Sequence, residues 1–160
     1  MKLNIKYFAV LLFCVISCKQ EFVYNEKIEI PQGNWHKDKI MQFKVKIEQN
    51  DEAHNLFFFI TNNNFYAYSN LWLFVTSISP SGIARKDTVN CILADESGKW
   101  YGKRSREQNL IPAIFKRDVR FPEIGEYTFW VQQGMRHETL ENIKALGLAV
   151  EKAETLNKQH

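Results

Sequence analysis

Apolar and polar residues alternate with period two over most of the chain from Lys19 onward, the repeat of a half-buried β-strand. The clearest case is Met41, Phe43, Val45 and Ile47 set against Gln42, Lys44, Lys46 and Glu48. A first strand is predicted near Phe22 to Ile30, where Pro31 and Gly33 stop it. Leu56 to Ile60 (LFFFI) and Leu71 to Ile78 (LWLFVTSI) are apolar on both faces, as strands in the middle of a layered sheet are. Val89, Cys91 and Leu93 share one face of a strand around Asp87 to Leu93. Tyr127, Phe129 and Val131 do the same within Glu126 to Gln132. A strand is also expected near Ala113 to Lys116, and Leu146, Leu148 and Val150 mark a last one. Only Glu138 to Ile143 reads as helical, for about a turn and a half.

Turn chemistry punctuates these runs. Ser79-Pro80-Ser81-Gly82 suits a type I turn, with Pro at the second position and Gly at the fourth. Asp95-Glu96-Ser97-Gly98 is similar, while Asn50-Asp51-Glu52 and Asn62-Asn63-Asn64 supply two more turns. Residues 99–110 form the longest polar, irregular stretch. Seven or eight short strands with such spacing predict an all-β domain, an antiparallel β-sandwich of Ig-like or jelly-roll-like type, with a closed barrel as the second choice. Gly125-Glu126-Tyr127 heads a late strand as the corner tyrosine of such sandwiches does, its hydroxyl tying a crossing segment to the backbone.

The N-terminus departs from this pattern. Lys2 and Lys6 precede Tyr7 to Ile16, an uncharged apolar run about half as long as the ~20 residues a spanning helix needs. Val15-Ile16-Ser17-Cys18 then has the order of a bacterial lipobox: aliphatic and small residues leading to a thiol that can take a diacylglyceryl group. This predicts a lipoprotein signal peptide over 1–17, acylated Cys18 with a tether over 18–26, a sandwich over 27–152 and a polar tail over 153–160. Lys19 in place of Asp after Cys18 favours the outer membrane, and a single acid at Glu21 favours its periplasmic face.

Composition adds little beyond confirming a core. The 160 residues are 45% hydrophobic and 14% aromatic, with 7 Gly and 4 Pro, which excludes a disordered or collagen-like chain. The formal charge of +3 falls to +1 once Lys2 and Lys6 leave, and no basic cluster argues for a nucleic-acid partner. Cys14 lies in the signal and Cys18 is the acyl acceptor, so Cys91 is left alone as a small buried hydrophobe and no intrachain disulfide can form.

Chemistry is sparse. His36, His54, His137 and His160 lack the spacing of a zinc site, and His36-Lys37-Asp38 has no third ligand nearby, so no metal is expected. No nucleophile elbow, phosphate loop or dinucleotide fingerprint occurs, and Asp51-Glu52 and Asp95-Glu96 read as solvated turns. No catalytic residue and no cofactor beyond the lipid on Cys18 is expected. Aromatic residues are the remaining candidates. Trp72 and Trp130 lie in predicted strands and are expected to pack in the core, whereas Trp35, Trp100 and Tyr101 lie in loops beside charged residues, where protein interfaces and sugar platforms both place aromatics.

Several blocks resemble the gliding motility lipoprotein family GldH of the Bacteroidetes. They are Gly33-Asn34-Trp35-His36-Lys37-Asp38, Asn62-Asn63-Asn64-Phe65-Tyr66, and Ser69-Asn70-Leu71-Trp72-Leu73-Phe74-Val75. Further on come Asp87-Thr88, then Leu93-Ala94-Asp95 with Gly98-Lys99-Trp100-Tyr101-Gly102-Lys103, then Arg120-Phe121-Pro122. Gly125-Glu126-Tyr127-Thr128-Phe129 and Gln133-Gly134-Met135-Arg136 complete the ordered set, which spans nearly the whole chain after the signal. Where members of the family continue with a Gly-rich run after Gly102-Lys103, Arg104-Ser105-Arg106 stands here. The resemblance implies a non-enzymatic lipoprotein of the gliding motility and type IX secretion-associated envelope apparatus, lipid-anchored to the outer membrane. On that reading Trp35, Trp100 and Tyr101, with Arg120 and Arg136 as polar contacts, are candidates for docking envelope proteins. A carbohydrate-binding sandwich that uses the same loop aromatics is the alternative.

Overall fold

The computed structural model describes residues 22–153; the signal peptide, Cys18 and the tail beyond residue 153 lie outside the described residues. Eleven strands and one 3-10 turn, Pro31–Gly33, make up the domain, and no α-helix occurs among the described residues. The strands are β1 (Phe22–Glu29), β2 (Trp35–His36), β3 (Met41–Ile47), β4 (Ala53–Asn62), β5 (Asn70–Ile78), β6 (Ala84–Ile92), β7 (Lys103–Arg104), β8 (Asn109–Arg120), β9 (Gly125–Gln133), β10 (Thr139–Leu140) and β11 (Ile143–Lys152).

Two antiparallel sheets carry the fold, one ordered β1-β11-β4-β8-β7 and the other β3-β9-β5-β6, with β10-β2 as a small separate ladder. Of the eight long strands in chain order, the first, eighth, third and sixth share one sheet and the second, seventh, fourth and fifth the other. That is the jelly-roll order, and it decides between the two sandwich types the sequence allows. The two sheets share no ladder, so the barrel is excluded.

Alternation does the work that the sequence promised. Every second residue of β3 is buried, and with Leu71, Leu73 and Val75 of β5 and Tyr127, Phe129 and Val131 of β9 it forms one wall of the core. Leu56, Phe58 and Ile60 of β4, Ile111 of β8 and Leu146, Leu148 and Val150 of β11 form the other. β11 is buried on both faces because it lies between β1 and β4 and its outward residues are small. At Gly147 a Cβ would meet the Phe59 Cβ at 3.3 Å and the Glu26 carbonyl at 3.2 Å, so even an alanine would require the neighbouring strands to give by a few tenths of an ångström.

Two of the predicted turns close with a hydrogen bond from the fourth residue to the first, Gly82 N to Ser79 O at 2.9 Å and Gly98 N to Asp95 O at 3.0 Å. Tyr127 behaves as a corner tyrosine: its hydroxyl accepts from the Glu123 backbone N–H at 3.1 Å. Two expectations are corrected. The strand predicted from Phe22 forms as β1 and pairs with β11, so the tether, drawn over 18–26, does not include residues 22–26. Residues 138–143 form no helix: Thr139 and Leu140 pair with His36 and Trp35, and Asn142 takes a left-handed backbone (φ 68) that ends any helical run.

Candidate interaction surface

The strand pairing sorts the connections by length onto the two ends of the sandwich. At the end where Phe22 pairs with Glu151 lie three short turns, 48–52, 79–83 and 121–124. At the opposite end, about 33 Å away for a ten-residue strand such as β11, gather the longer segments 30–40, 63–69, 93–108 and 134–142.

These long segments hold one another in place. Asn63 Nδ2 donates to Asn142 Oδ1 at 2.8 Å, and Asn142 Nδ2 donates to the Phe65 carbonyl at 3.3 Å. Asn109 Nδ2 reaches Asn64 Oδ1 at 3.1 Å. Lys37 Nζ meets Glu138 Oε1 at 2.8 Å, and the Lys37 N–H donates to the Glu138 carbonyl at 2.7 Å. The lysine holds the Glu138 carboxyl below its ordinary range. The Asp95 carboxylate accepts from the Ser97 hydroxyl and the Ser97 and Lys99 N–H groups, which hold it below its ordinary range and fix the turn before Trp100. An aromatic chain crosses from one loop to the next: Trp100 to Tyr66 at 6.3 Å, Tyr66 to Tyr68 at 5.5 Å and Tyr68 to His137 at 5.8 Å between ring centroids. Tyr66 is buried, which pushes its hydroxyl well up, and it donates to the Asn70 carbonyl at 2.9 Å.

The tryptophans are arranged the other way round from expectation. Trp35 has no exposed surface: it opens β2, its Nε1 donates to the Lys39 carbonyl at 2.9 Å, and it belongs to the core. It therefore offers no surface to a partner. Trp72 and Trp130, expected in the core, are 38% and 43% exposed on the outer face of the β3-β9-β5-β6 sheet, with Phe74 exposed between them. Trp130 stands opposite Gln42 and Thr76, and Phe74 opposite Thr88 and Gln132. The alternation that buries Tyr127, Phe129 and Val131 already put Trp130 on the other face, so this position was readable. Trp72 was not, because Leu71 to Val75 around it is apolar on both faces.

Of the other candidates, Trp100 is half-buried against the core, while Tyr101 and Arg136 are exposed at the loop-rich end. Arg136 lines a groove of about 400 Å³ with Tyr68, Trp72, Phe74, Met135 and His137. Arg120 is not part of this group. It lies at the short-turn end, where its guanidinium donates to the Asp51 carbonyl. Phe65, 81% exposed between Asn64 and Tyr66, is the most exposed large apolar side chain among the described residues, and sequence alone gave no reason to single it out. The outer face of the five-stranded sheet adds Leu110 and Ile114, beside half-buried Phe57 and Phe59. Among the described residues no three His, Cys, Asp or Glu side chains gather to hold a metal ion.

The long loops at one end of this jelly-roll sandwich and the exposed aromatic rings on one sheet are its two candidate surfaces. Residues 22–150 match the family described as GldH lipoprotein, and the chain belongs to that family. It is 32% identical to the "Gliding motility lipoprotein GldH homolog" of Christiangramia forsetii over 154 residues, covering 92% of this chain and 93% of the relative. It is 30% identical to the "Gliding motility lipoprotein GldH" of Flavobacterium johnsoniae over 150 residues, covering 89% and 91%. Among solved structures, that of the infectious bursal disease virus Gx strain overlays with a TM-score of 0.34 at 14% identity, over 84% of this chain and 30% of that one. A likeness that loose has no bearing on function.

Proposed function

We propose that the protein is acylated at Cys18, held at the periplasmic face of the outer membrane, and serves the gliding or type IX secretion-associated apparatus as a non-enzymatic interaction or assembly component. The names of its relatives, both gliding motility lipoproteins, supply the process. The observation that carries the docking role is the sorting of connections by length. β1 begins at Phe22 at the short-turn end, four residues after Cys18 in sequence, so on this reading the short turns face the bilayer and the long, cross-tied loops face away from it. Exposed Phe65, Tyr101 and Arg136 at that far end are the residues we assign to partner contact. The test is crosslinking and affinity recovery of tagged protein from intact cells, comparing the native chain with Cys18→Ala and with Phe65→Ala/Arg136→Ala. Recovery of gliding or type IX secretion proteins that is lost in both variants supports the reading. Unchanged recovery from the loop double variant shows that the contact lies elsewhere.

A second reading, glycan binding, is favoured by one specific observation. Trp72, Phe74 and Trp130 expose rings on one sheet face among Gln42, Thr88 and Gln132, so flat apolar faces for sugar rings lie next to hydroxyl and amide partners. This moves the platform from the loop aromatics to the sheet. Gel retardation in soluble polysaccharide that is lost in Trp72→Ala and Trp130→Ala would establish it.

A further inference from the structure

We infer that the short-turn end of the sandwich is itself seated in the lipid interface, with Ile83 and Ile124 as its contact residues. This rests on the acylation of Cys18 proposed above and extends it from an anchor to an orientation.

The constraint is covalent. Only Lys19, Gln20 and Glu21 separate Cys18 from Phe22, and four Cα–Cα steps reach at most about 15 Å. A diacylglyceryl group on Cys18 therefore holds the start of β1 within that distance of the headgroups, whatever path the intervening residues take. Phe22 pairs with Glu151, and the neighbouring strand ends at Ala53, Arg120 and Ala153 share this end. The turns 79–83 and 121–124 cap it from the other sheet.

Those two turns form one unit. The Ser81 N–H and hydroxyl both donate to the Glu123 carboxylate, at 3.0 and 2.8 Å, and this holds the carboxyl below its ordinary range. The Pro80 ring lies where a side chain on residue 125 would be, within 3.0 Å, and Gly125 with φ of 136 leaves that space open. Asn50 Nδ2 reaches the Pro122 carbonyl at 3.4 Å from the third turn. From this fixed tip Ile83 and Ile124 each project with 60% of their surface exposed, beside exposed Pro80 and Pro122. Val23, just inside β1, is exposed as well. Three ion pairs lie around the tip, Lys152 with Glu52 at 2.8 Å, Lys46 with Glu48 at 3.0 Å and Lys44 with Glu126 at 3.1 Å, and the Arg120 guanidinium is taken up by the Asp51 carbonyl. Two branched aliphatic side chains on a rigid tip, at the end that the anchor draws to the bilayer, fit the headgroup–acyl boundary, where apolar side chains leave water.

The experiment places an environment-sensitive fluorophore at position 83 (Ile83→Cys) or 124 (Ile124→Cys) of the full-length lipoprotein. The labelled protein is reconstituted in phosphatidylethanolamine–phosphatidylglycerol vesicles, with the far end (Tyr101→Cys) as reference. Cys91 is buried with its thiol pushed up to about 12, so it stays unlabelled in the folded protein. The expected result is blue-shifted emission at 83 and 124, quenched by doxyl-labelled lipid, and neither effect at 101. Mass spectrometry of the N-terminal peptide on the same samples separates the two readings. A lipidated N-terminus with emission at 83 and 124 matching that at 101 overturns the tip contact and leaves the anchor standing. An N-terminal peptide without lipid overturns both, because nothing then draws this end to the membrane.

Discussion

Replacing Trp35 and Trp72 by alanine in parallel puts the two environments to a quantitative test. Trp35 is enclosed and its Nε1 is satisfied by the Lys39 carbonyl, so the substitution leaves a ring-sized void and an unpaired acceptor. Large-to-small changes at such sites cost about 3–5 kcal/mol. For a domain of roughly 130 ordered residues the unfolding entropy is about 0.28 kcal/mol/K, so each kcal/mol moves the melting temperature by roughly 3–4 °C. Trp35→Ala is therefore expected to lower it by about 11–18 °C. Trp72, 38% exposed, loses cross-strand contact and partial cover worth about 1–2 kcal/mol, or roughly 4–7 °C. The assay is thermal denaturation followed by circular dichroism on the chain from Lys19 onward. A Trp35→Ala loss no larger than that of Trp72→Ala would refute the placement of both rings.

Three further outcomes follow from single contacts. Tyr127→Phe removes the acceptor for the Glu123 N–H and should cost about 1 kcal/mol, a drop of roughly 3–4 °C in the same melt. His54 is buried against Phe121, and burial holds its imidazole below the ordinary value of 6.5, against opposing pulls from Glu52 and, in the same sense as burial, a push from Lys152. The unfolded chain thus binds the proton first, so stability is full above about pH 6.5 and falls as pH drops below it; melting between pH 7.5 and 5.5 should show the loss, and His54→Phe should flatten it. Cys91 should resist thiol reagents in native buffer and react fully in denaturant, as its buried, raised thiol requires; rapid native labelling would contradict that placement.

The parts of the fold legible in the sequence are those set by neighbours along the chain. Period two identifies β3 and β9, and Ser79-Pro80-Ser81-Gly82 encodes its own turn. Tyr127 announces its corner because the Gly, the strand start and the ring sit together. What depends on distant partners is not legible. Trp35 reads as a loop residue among polar neighbours, and only the pairing of Leu140 with it, from the far end of the chain, encloses it. Leu71 to Ile78 names no face for itself, since both sets of alternating residues are apolar; the aliphatic set goes to the core and the aromatic set stays outside. The segment 138–143 carries helix-compatible residues, yet the β2–β10 ladder and the left-handed Asn142 override them. For the same reason the candidate residues are divided between the two ends: Tyr101 and Arg136 lie at the loop-rich end, whereas Arg120 is carried to the opposite one by the length of β8.

The position of β11 has a consequence for how such a chain is made. β1 has one neighbour in its sheet, and that neighbour is the last strand, so the first backbone groups to emerge wait for the final ten-residue strand before they are paired. Until β11 is in place this sheet is open down the middle, with β1 and β4 each presenting an unsatisfied edge. Pairing of such high sequence separation is slow, and open edges of that kind invite association with other chains. This sheet therefore closes only once β11 is available, however stable the strands that precede it.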